Sequence, residues 1–486
     1  MKQNRFYNQP KLIEFTIFIS LFSLVFISDL NCKEAISHTP EIRAVWVSVL
    51  GPGLRSSEEV DQMVDAIRRA NLNTIVAQVR RTGATFFESS IEPRHMDIKE
   101  DNFDPLGYLL EKAHDTSNGK QRLDVYAWFN VYKMDTQEEY KNSKPVPITI
   151  SHPDWLTRDS TGEVQAELDP GIPGVLDHNI SVIEECLKKY DVDGINLDFV
   201  RYFGIERGYN PIAVKRFQKL TGRTDIPEND DEEWSDFRRE QVTNFVRRCA
   251  ISVWTYKPDA MLSADAVGFG RAPIKDFSDT APYFQVYQDW SGWIEEGCID
   301  LITRMGYKRE SDENQAKDFR DWADFTKNLQ DKCSGRLLTI GIGGYLNPHS
   351  DTLNQYRVAQ KRGLGTCLFS YNRPTRESRG EDKGSFHSSF WDDLGKTIYH
   401  EYVSPPDPDW RKDKAFIAGF LKSEKNLSVD GVEMILNNGE QEVKTDGSGF
   451  FAFFDLKPGK YTIKSNLSGF KEKTINAVAG KVTWIE

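Results

Sequence analysis

Asp191-Val-Asp-Gly-Ile-Asn-Leu-Asp-Phe-Val-Arg-Tyr202 predicts a turn, a buried strand and then a polar strand end. Within it, the apolar Ile195 and Leu197 alternate with the polar Asn196 and Asp198, as in a strand whose two faces differ. In a barrel of parallel strands, one face packs on the outer helices and the other points inward. Asp198 near the strand's carboxyl end would then point into the barrel mouth, which makes it a candidate catalytic group.

Apolar strands alternate with amphipathic helices on both sides of this stretch. The first predicted helix opens with the capping-box pair Ser56 and Glu59 and leads directly into a strand. Eight strands are predicted, at residues 42–49, 74–80, 124–131, 194–200, 261–267, 301–307, 337–343 and 366–371. A helix after each strand predicts an α/β fold over residues 41–401, a (β/α)8 TIM barrel, with an open doubly wound sheet as the alternative.

Loop lengths support the barrel and indicate where its site lies. The strand-to-helix links at residues 132–174, 201–234 and 268–288 are long, whereas the helix-to-strand links are short. The long loops therefore share one face, which in barrels carries the active site. The third of these loops holds aromatic residues that we expect to stack on sugars: Phe269, Phe277, Tyr283, Phe284 and Tyr287.

The pattern changes after residue 401. A proline-rich linker covers residues 402–412, and residues 413–486 have short alternating strands with turns such as Asp446-Gly-Ser-Gly449. This predicts a small all-β sandwich domain. The runs Gly431–Leu436 and Thr445–Ile463 resemble the carboxypeptidase regulatory-like, prealbumin-type family, which implies an accessory module without catalytic residues.

The N-terminus predicts export. Basic residues precede the apolar run Phe15–Ile27, which is too short to span a membrane comfortably but suits a signal peptide covering residues 1–32. Asp29-Leu-Asn-Cys32 resembles a bacterial lipobox, in which a lipidated Cys32 would attach the protein to a membrane. Leu30 is atypical at its position, so ordinary cleavage is the alternative. An exported protein of the bacterial envelope, periplasmic, on the outer membrane or secreted, is expected.

Charge and cysteine content exclude several classes of function. A net charge of −12 argues against a nucleic-acid partner, because phosphate binding needs a surplus of cationic side chains. Beyond Cys32 the cysteines are odd in number and scattered, which argues against a disulfide framework. The chain has no Cys-x-x-Cys and no closely spaced histidine pair, so no metal site and no cofactor are expected. Gly341-Ile-Gly-Gly344 lacks the full dinucleotide-binding fingerprint.

Polar pairs recur near the carboxyl ends of the predicted strands. The same alternation places Gln78 with Arg80, Trp128 with Asn130, and Ser263 with Asp265. Neighbouring strands would bring Asp198 and Asp265 side by side at the barrel mouth. Cleavage of a glycosidic bond needs one carboxylic acid to protonate the leaving oxygen and a second carboxylate as nucleophile or base. Their separation would decide between retention and inversion.

Several motifs in the same order resemble the glycosyl hydrolase-like 10 family over roughly residues 41–400. They are Arg43-Ala-Val-Trp-Val47, Gln78-Val-Arg80, Phe103-Asp-Pro-Leu106, Val125-Tyr-Ala-Trp-Phe-Asn130, Asp193-Gly-Ile-Asn-Leu-Asp-Phe-Val-Arg-Tyr202 and Gln288-Asp-Trp290. The resemblance implies a barrel glycosidase acting on a polysaccharide, with peptidoglycan strands as a candidate. The residues predicted to bind substrate around the catalytic pair are Gln78, Arg80, Trp128, Asn130, Arg201, Tyr307 and Tyr371.

Departures from the family pattern leave other readings open. Val200 stands where chitinase-type barrels carry a catalytic glutamate, so a chitinase mechanism is not expected. Gly83-Ala-Thr-Phe-Phe87 lacks an acidic residue that the glycosyl hydrolase-like 10 family often has there. A glycan-binding lipoprotein without catalysis is therefore the main alternative, and an envelope scaffold working through residues 413–486 is another.

Individual residues have ordinary structural alternatives as well. Asp198 could be an ion-pair partner of Arg201 or Arg80, and Trp128 could simply fill the barrel. Asp289 is predicted to cap a helix, and Asp193 to belong to a turn.

Overall fold

The structure is a computed structural model that describes residues 41–135, 137–142, 146–333, 335–378, 388–423, 429–437 and 439–485. The predicted signal peptide and Cys32 lie outside these residues. Within the described ranges, no helix is both long enough and apolar enough to cross a membrane. From residue 40 onward the chain groups into one compact unit.

Eight parallel strands form a closed barrel. They are β1 Arg43–Val47, β2 Thr74–Arg81, β3 Asp124–Asn130, β4 Gly194–Asp198, β5 Met261–Ala266, β6 Leu301–Gly306, β7 Leu337–Gly343 and β8 Gly365–Phe369. Each strand pairs with the next one along the chain, and β1 pairs with both β2 and β8. The pairing of Trp46 with Phe369 closes the sheet. The predicted TIM barrel is confirmed, and the open doubly wound sheet is excluded.

A helix follows each barrel strand. These helices are α1 Ser57–Arg69, α2 Pro105–His114, α3 Pro173–Lys189, α4 Glu232–Tyr256, α5 Trp290–Glu296, α6 Glu313–Lys332, α7 His349–Gln360 and α8 Ser388–Thr397. The long loops contain the short helices Gln137–Lys141, Pro147–Ser151, Pro211–Thr221 and Ala281–Gln285 and the short strands Ala84–Thr85, Leu156–Arg158 and Val164–Leu168. Single 3-10 turns lie at Ser117–Gly119, Pro153–Trp155, Phe277–Asp279, Gly344–Leu346, Arg376–Ser378 and Asp409–Arg411.

The predicted cap of α1 forms only in part. Oγ of Ser56 accepts the backbone N–H of Glu59 at 3.3 Å, as a capping box requires. The Glu59 carboxylate accepts the backbone N–H groups of Gly53 at 2.8 Å and Arg55 at 3.1 Å. It therefore ties the loop after β1 to the start of the helix.

The alternation of side chains along the strands divides the barrel core into two layers. Ile195 and Leu197 of β4 are fully buried in the layer between the strands and the helices. The layer inside the barrel contains inward-facing side chains, among them Trp46, Tyr126, Trp128 and Cys367. Asp198 shares the inward face of β4 with Asn196, because it stands an even number of residues away.

The C-terminal residues form a small all-β module, as predicted. Its strands are β9 Ala415–Phe420, β10 Glu433–Leu436, β11 Gln441–Lys444, β12 Phe450–Leu456, β13 Gly459–Ser465, β14 Lys473–Ala477 and β15 Val482–Ile485. One sheet has the order β12-β9-β15 and the other β11-β10-β13-β14, with an apolar cluster of their own. Asp446 accepts the N–H groups of Ser448 and Phe450, which fixes the predicted turn.

The segment leading to the module packs into the barrel. Asp300, just before β6, is 1% exposed and accepts indole N–H groups from Trp254 and Trp410, each at 3.0 Å. Its Oδ1 also lies 3.2 Å from Nε of Arg411. Farther along the same side, Arg216 of the loop helix Pro211–Thr221 pairs with Asp430. The module is therefore fixed to the barrel through buried polar contacts.

The cysteines within the described residues form no disulfide. Cys186, Cys249, Cys298 and Cys367 are buried, whereas Cys333 is half-buried. Burial raises the pKa of each of these thiols, and the four that are fully buried are also shielded from reagents.

Candidate active site

Asp198 ends β4 with its carboxyl group inside the barrel. Oδ2 accepts the indole N–H of Trp128 at 3.1 Å, and Oδ1 accepts the backbone N–H of Phe199 at 2.7 Å. Phe199 has a φ of 53°, a left-handed conformation that a bulky residue seldom adopts. The strand thus stops abruptly at Asp198, and strain of this kind is common at functional sites.

Asp265 lies beside Asp198 on the neighbouring strand. The register pairs Leu197 with Ala264, so the two aspartates stand one residue further along at the same level. Asp265 is 2% exposed, and its Oδ1 accepts the indole N–H of Trp46 at 3.1 Å. The structure therefore brings the two carboxyl groups together, as the sequence predicts.

The two carboxyl groups differ in their surroundings and hence in their affinity for protons. Burial raises the pKa of Asp198 to about 6, although the Phe199 N–H, the Arg201 guanidinium and the Trp128 N–H act in the opposite direction. Burial, together with the charge of Asp198, raises the pKa of Asp265 well above its ordinary value. The pair therefore binds a proton more tightly than isolated carboxyl groups do, and Asp265 has the higher affinity for it.

A cavity of about 350 Å³ opens above the two aspartates at the carboxyl ends of the strands. Among the residues predicted from the sequence, the cavity is lined by Gln78, Trp128, Asn130, Asp198, Arg201, Asp265 and Tyr307. Nε2 of Gln78 donates to Oδ1 of Asn130 at 3.0 Å, and its Oε1 accepts from Oγ of Ser48 at 3.1 Å. These bonds fix the orientation of both amides at the rim.

Arg80 does not reach this cavity. The pairing of β2 with β3 shifts between Gln78 and Arg80, so a bulge at Val79 removes them from a common face. The buried guanidinium of Arg80 donates to Glu92 at 2.8 and 2.6 Å and to the carbonyl of Asn130 at 2.6 Å. The prediction that Gln78 and Arg80 share a face fails, because alternation does not continue through a bulge.

Tyr371 also lies away from the cavity. It is 1% exposed, and its ring packs 5.7 Å from that of Trp391 on α8. A Cβ on Gly53 would come within 3.4 Å of its ring. Tyr371 therefore belongs to the packing between the loop after β1 and α8.

None of the five rings predicted in the 268–288 loop lines the cavity, and two of them, Phe269 and Phe284, are exposed. Phe277 packs 4.6 Å from Trp290, and Tyr287 lies under the guanidinium of Arg238 at 4.0 Å. The rings that do line the cavity are Trp128, Phe199, Tyr307 and Phe369. Each lies on a barrel strand or within one residue of its carboxyl end, which the loop composition could not indicate.

The cavity also contains cations that the sequence reasoning missed. Arg81 and Lys133 line it together with Arg201. Arg201 packs over the Phe203 ring at 4.6 Å, and burial lowers its pKa to about 10, so it remains charged at neutral pH. Lys133 lies 3.7 Å from Glu167. Arg81 directly follows the Gln-Val-Arg motif, and this position is the sequence feature that could have indicated it as a cavity residue.

Asp289 and Asp193 take the structural roles that were predicted for them. Asp289 caps α5 by accepting the N–H of Gly292 at 3.0 Å, so the predicted cap is confirmed. Asp193, before β4, accepts from the backbone N–H of Val125 and pairs with Arg122 at the opposite end of the barrel. Within the described part of the chain, no cluster of three or more His, Cys, Asp or Glu residues could hold a metal ion.

Comparison with known proteins places this barrel in a family. The family model described as glycosyl hydrolase-like 10 matches residues 41–345, which include both aspartates and every strand from β1 to β7. The chain belongs to the glycosyl hydrolase-like 10 family. The match does not extend over the C-terminal module, whose resemblance to the regulatory-like domains stays a prediction.

Curated proteins that are similar to this chain are named as glycosyl hydrolases. YngK of Bacillus subtilis is 28% identical over 290 residues, which cover 55% of this chain and 54% of YngK. DigH of Escherichia coli K12 is 26% identical over 324 residues, which cover 62% of this chain and 69% of DigH. This chain thus matches about half the length of YngK.

Solved structures share the barrel fold of this glycosyl hydrolase-like 10 protein. The PgaB (BpsB) glycoside hydrolase domain of Bordetella bronchiseptica has a TM-score of 0.52 at 13% identity and covers 73% of this chain and 99% of that one. An α-L-fucosidase of Paenibacillus thiaminolyticus has a TM-score of 0.50 at 17% identity, and the match covers 74% of this chain and 49% of the fucosidase. At these identities the likeness concerns the fold.

Proposed function

We propose that this protein is a glycoside hydrolase that cleaves glycosidic bonds of a bacterial envelope polysaccharide with Asp198 and Asp265. The observation that carries the proposal is the pair of buried carboxyl groups, which stand side by side on neighbouring strands beneath the cavity. Glycosidic cleavage requires one carboxylic acid and one carboxylate, and we infer that Asp265, whose pKa is raised well above its ordinary value, is the acid and Asp198 the carboxylate. The glycoside hydrolases among the relatives support the same class of reaction.

In the proposed reaction, Asp265 passes its proton to the glycosidic oxygen as the bond from that oxygen to the anomeric carbon breaks. Asp198 either attacks the anomeric carbon or takes a proton from the water that does so. One water is consumed: its hydroxyl oxygen ends on the anomeric carbon, and its proton restores the acid form of the pair. Arg201 beside Asp198 stabilises the ionised partner throughout.

The cavity favours a sugar that carries a negative charge. Trp128, Tyr307 and Phe369 supply ring faces, and the Gln78 and Asn130 amides supply hydrogen-bonding groups for hydroxyls. Arg81, Lys133 and Arg201 place three cations around the same opening, alongside the carboxyl groups of Asp135, Asp198 and Asp265. Lys133 lies near Glu167, so Arg81 and Arg201 are the cations that we propose for an anionic group of the substrate. Peptidoglycan strands are therefore the first candidate substrate, since their muramic acid residues carry carboxyl groups wherever stem peptides are absent.

The deciding experiment measures reducing ends released by purified residues 41–486 from bacterial glycans, including peptidoglycan strands with and without stem peptides. We expect hydrolysis by the native protein, and a loss of at least about a thousandfold in kcat for Asp198→Asn and for Asp265→Asn. Asp289→Asn serves as the matched control, because Asn caps a helix as well as Asp does. Full activity in Asp198→Asn would contradict the mechanism, and glycan binding without any hydrolysis would favour the non-catalytic glycan-binding alternative.

We further propose export to the bacterial envelope, with lipid attached at Cys32. The basic and apolar N-terminal run and the lipobox-like Asp29–Cys32 support this. Metabolic labelling with a radioactive fatty acid should mark the native chain and spare Cys32→Ala. Equal labelling of the two chains, or none in either, would exclude lipidation at this residue.

A further inference from the structure

Gly341-Ile-Gly-Gly344, at the end of β7, lies where aromatic rings cross the barrel mouth. A Cβ on Gly341 would lie 2.8 Å from Cη2 of Trp46, which is closer than such atoms approach. A Cβ on Gly343 would lie 3.1 Å from Cα of Tyr307. The two glycines therefore leave the space that these side chains occupy. The Gly341–Gly344 run thus has a packing role inside the barrel.

The Trp46 side chain extends across the barrel to reach Asp265. It begins on β1, which stands opposite β5 in the ring of eight strands, and it is 1% exposed. Its indole packs edge-on against Tyr307 and Phe369, at centroid distances of 6.3 and 6.0 Å. Its Nε1–H donates to Oδ1 of Asp265 at 3.1 Å. Packing thus holds this donor in one position.

We propose that Trp46 is the positioning residue for the proton-donating carboxyl group of Asp265, and that Gly341 maintains the space its indole needs. This inference rests on the proposed glycosidase function. Because Oδ1 of Asp265 accepts the indole N–H, the carboxylic proton resides on Oδ2. That proton moves from Oδ2 to the glycosidic oxygen, and the resulting carboxylate keeps its bond to Trp46.

The groups that face Asp265 from the surrounding strands agree with this role. Asn196 and Asp198 face it from β4, Tyr307 from the end of β6 and Cys367 from β8. Burial raises the pKa of Tyr307 and of Cys367, so both are neutral at neutral pH. Burial and the charge of Asp198 raise the pKa of Asp265, Asn196 and Trp46 act in the opposite direction, and the Trp46 indole binds Oδ1.

Trp128 provides a matched comparison. Its indole makes the same kind of bond, at the same 3.1 Å, but to Asp198. Replacing either tryptophan with phenylalanine keeps an aromatic ring and removes the N–H. Because an N–H donor stabilises a carboxylate more than a carboxylic acid, each replacement should raise the pKa of its own aspartate.

The test is a titration of the carboxyl carbons by NMR with ¹³C-labelled aspartate, which needs no turnover. Asp198→Asn and Asp265→Asn identify the two signals. We expect Trp46→Phe and Gly341→Ala to move the upper of the pair's two apparent pKa values upward by about half a unit or more, and Trp128→Phe to move the lower one. An unchanged upper value in a folded Trp46→Phe protein would overturn the proposal.

Kinetics provide the second readout. On a hydrolysed glycan, Trp46→Phe should lower kcat about ten- to a hundredfold and move the alkaline limb of the rate profile to higher pH. Trp391→Phe, a buried replacement on α8, controls for the loss of an indole and should leave both unchanged. A shifted titration in a protein that hydrolyses nothing would keep the positioning role while refuting the glycosidase proposal. An unshifted titration in an enzyme that hydrolyses the glycan would refute the positioning role and keep the glycosidase proposal.

Discussion

Asp198 occupies a position that makes its ionised form costly. Its pKa rises from 3.8 to about 6, with burial as the largest cause. A group that binds its proton more tightly in the folded state stabilises that state below the unfolded pKa, and this contribution is lost as the pH rises through the folded value. At neutral pH the folded protein therefore carries a destabilising charge at the point where the proposed chemistry needs one.

Replacing this carboxylate should consequently stabilise the fold. We expect Asp198→Asn to raise the free energy of unfolding by about 1 to 3 kcal/mol at pH 8, and the gain to vanish below about pH 4, where Asp198 is protonated in both states. Denaturant unfolding at pH 4, 6 and 8 measures this. The exposed Asp276→Asn should change little at any pH. A loss of stability at pH 8 would mean that the charge on Asp198 is needed for folding.

The alternation of side chains along a strand explains which site residues could be predicted from the sequence. Asp198 and Asp265 follow from alternation along single strands, which is a local property. The contact between Trp46 and Asp265 joins opposite sides of the barrel, so it depends on closure and on the space left by Gly341. Nothing local to either residue indicates it.

At the scale of the element, β2 shows how one extra residue changes the chemistry of a side chain. The bulge at Val79 turns Arg80 towards Glu92, whose carboxylate also accepts a hydrogen bond from Nε2 of His178 at 2.9 Å. The charge of Arg80 lowers the pKa of Glu92 to about 2, despite its burial. Arg80 therefore joins β2 to the loop after it and to α3, while Arg81 faces the cavity.

Neighbouring arginines should accordingly behave in opposite ways. Arg80→Met leaves Glu92 buried without its main cation, so we expect a loss of about 3 kcal/mol in stability with KM nearly unchanged. Arg81→Met should leave stability within about 0.5 kcal/mol and raise KM for an anionic glycan several-fold. Thermal unfolding and steady-state kinetics on the two variants test this. Reversed results would restore Arg80 as a substrate ligand.

Loops are the elements whose roles the sequence indicated least. The long links were located correctly, but Phe277 packs against Trp290 of α5 and Tyr287 lies under Arg238 of α4, away from the cavity. The number of aromatic residues in a loop shows that the loop can bury apolar area. It does not show whether the ring packs against a helix or a ligand, because that choice depends on tertiary contacts.

At the scale of the whole molecule, barrel and module meet around the buried carboxylate of Asp300. It accepts from α4, from β5 and from the segment before β9, so three elements depend on one charge. The proline-rich segment was predicted as a linker between separate domains. Trp410 and Arg411, at its end, instead make it part of the packed structure.

This arrangement predicts that the barrel and the module unfold together. Arg411→Met leaves Asp300 buried without its cation and should lower stability by about 3 kcal/mol, with a single calorimetric transition retained. Lys412→Met is the matched control, since its pairing with Asp409 lies on the surface and contributes little. Two separated transitions in the native chain would show that the module folds on its own.

The reactivity of the half-buried Cys333 thiol can be used to measure how often the module separates from the barrel. Its neighbours include Arg336, which pairs with Asp455 of the module, while the other described cysteines are sealed in the core. A maleimide reagent should therefore modify Cys333 first, and faster whenever the module lifts away. Counting modified thiols by mass spectrometry would measure the opening of the contact between barrel and module in the native protein.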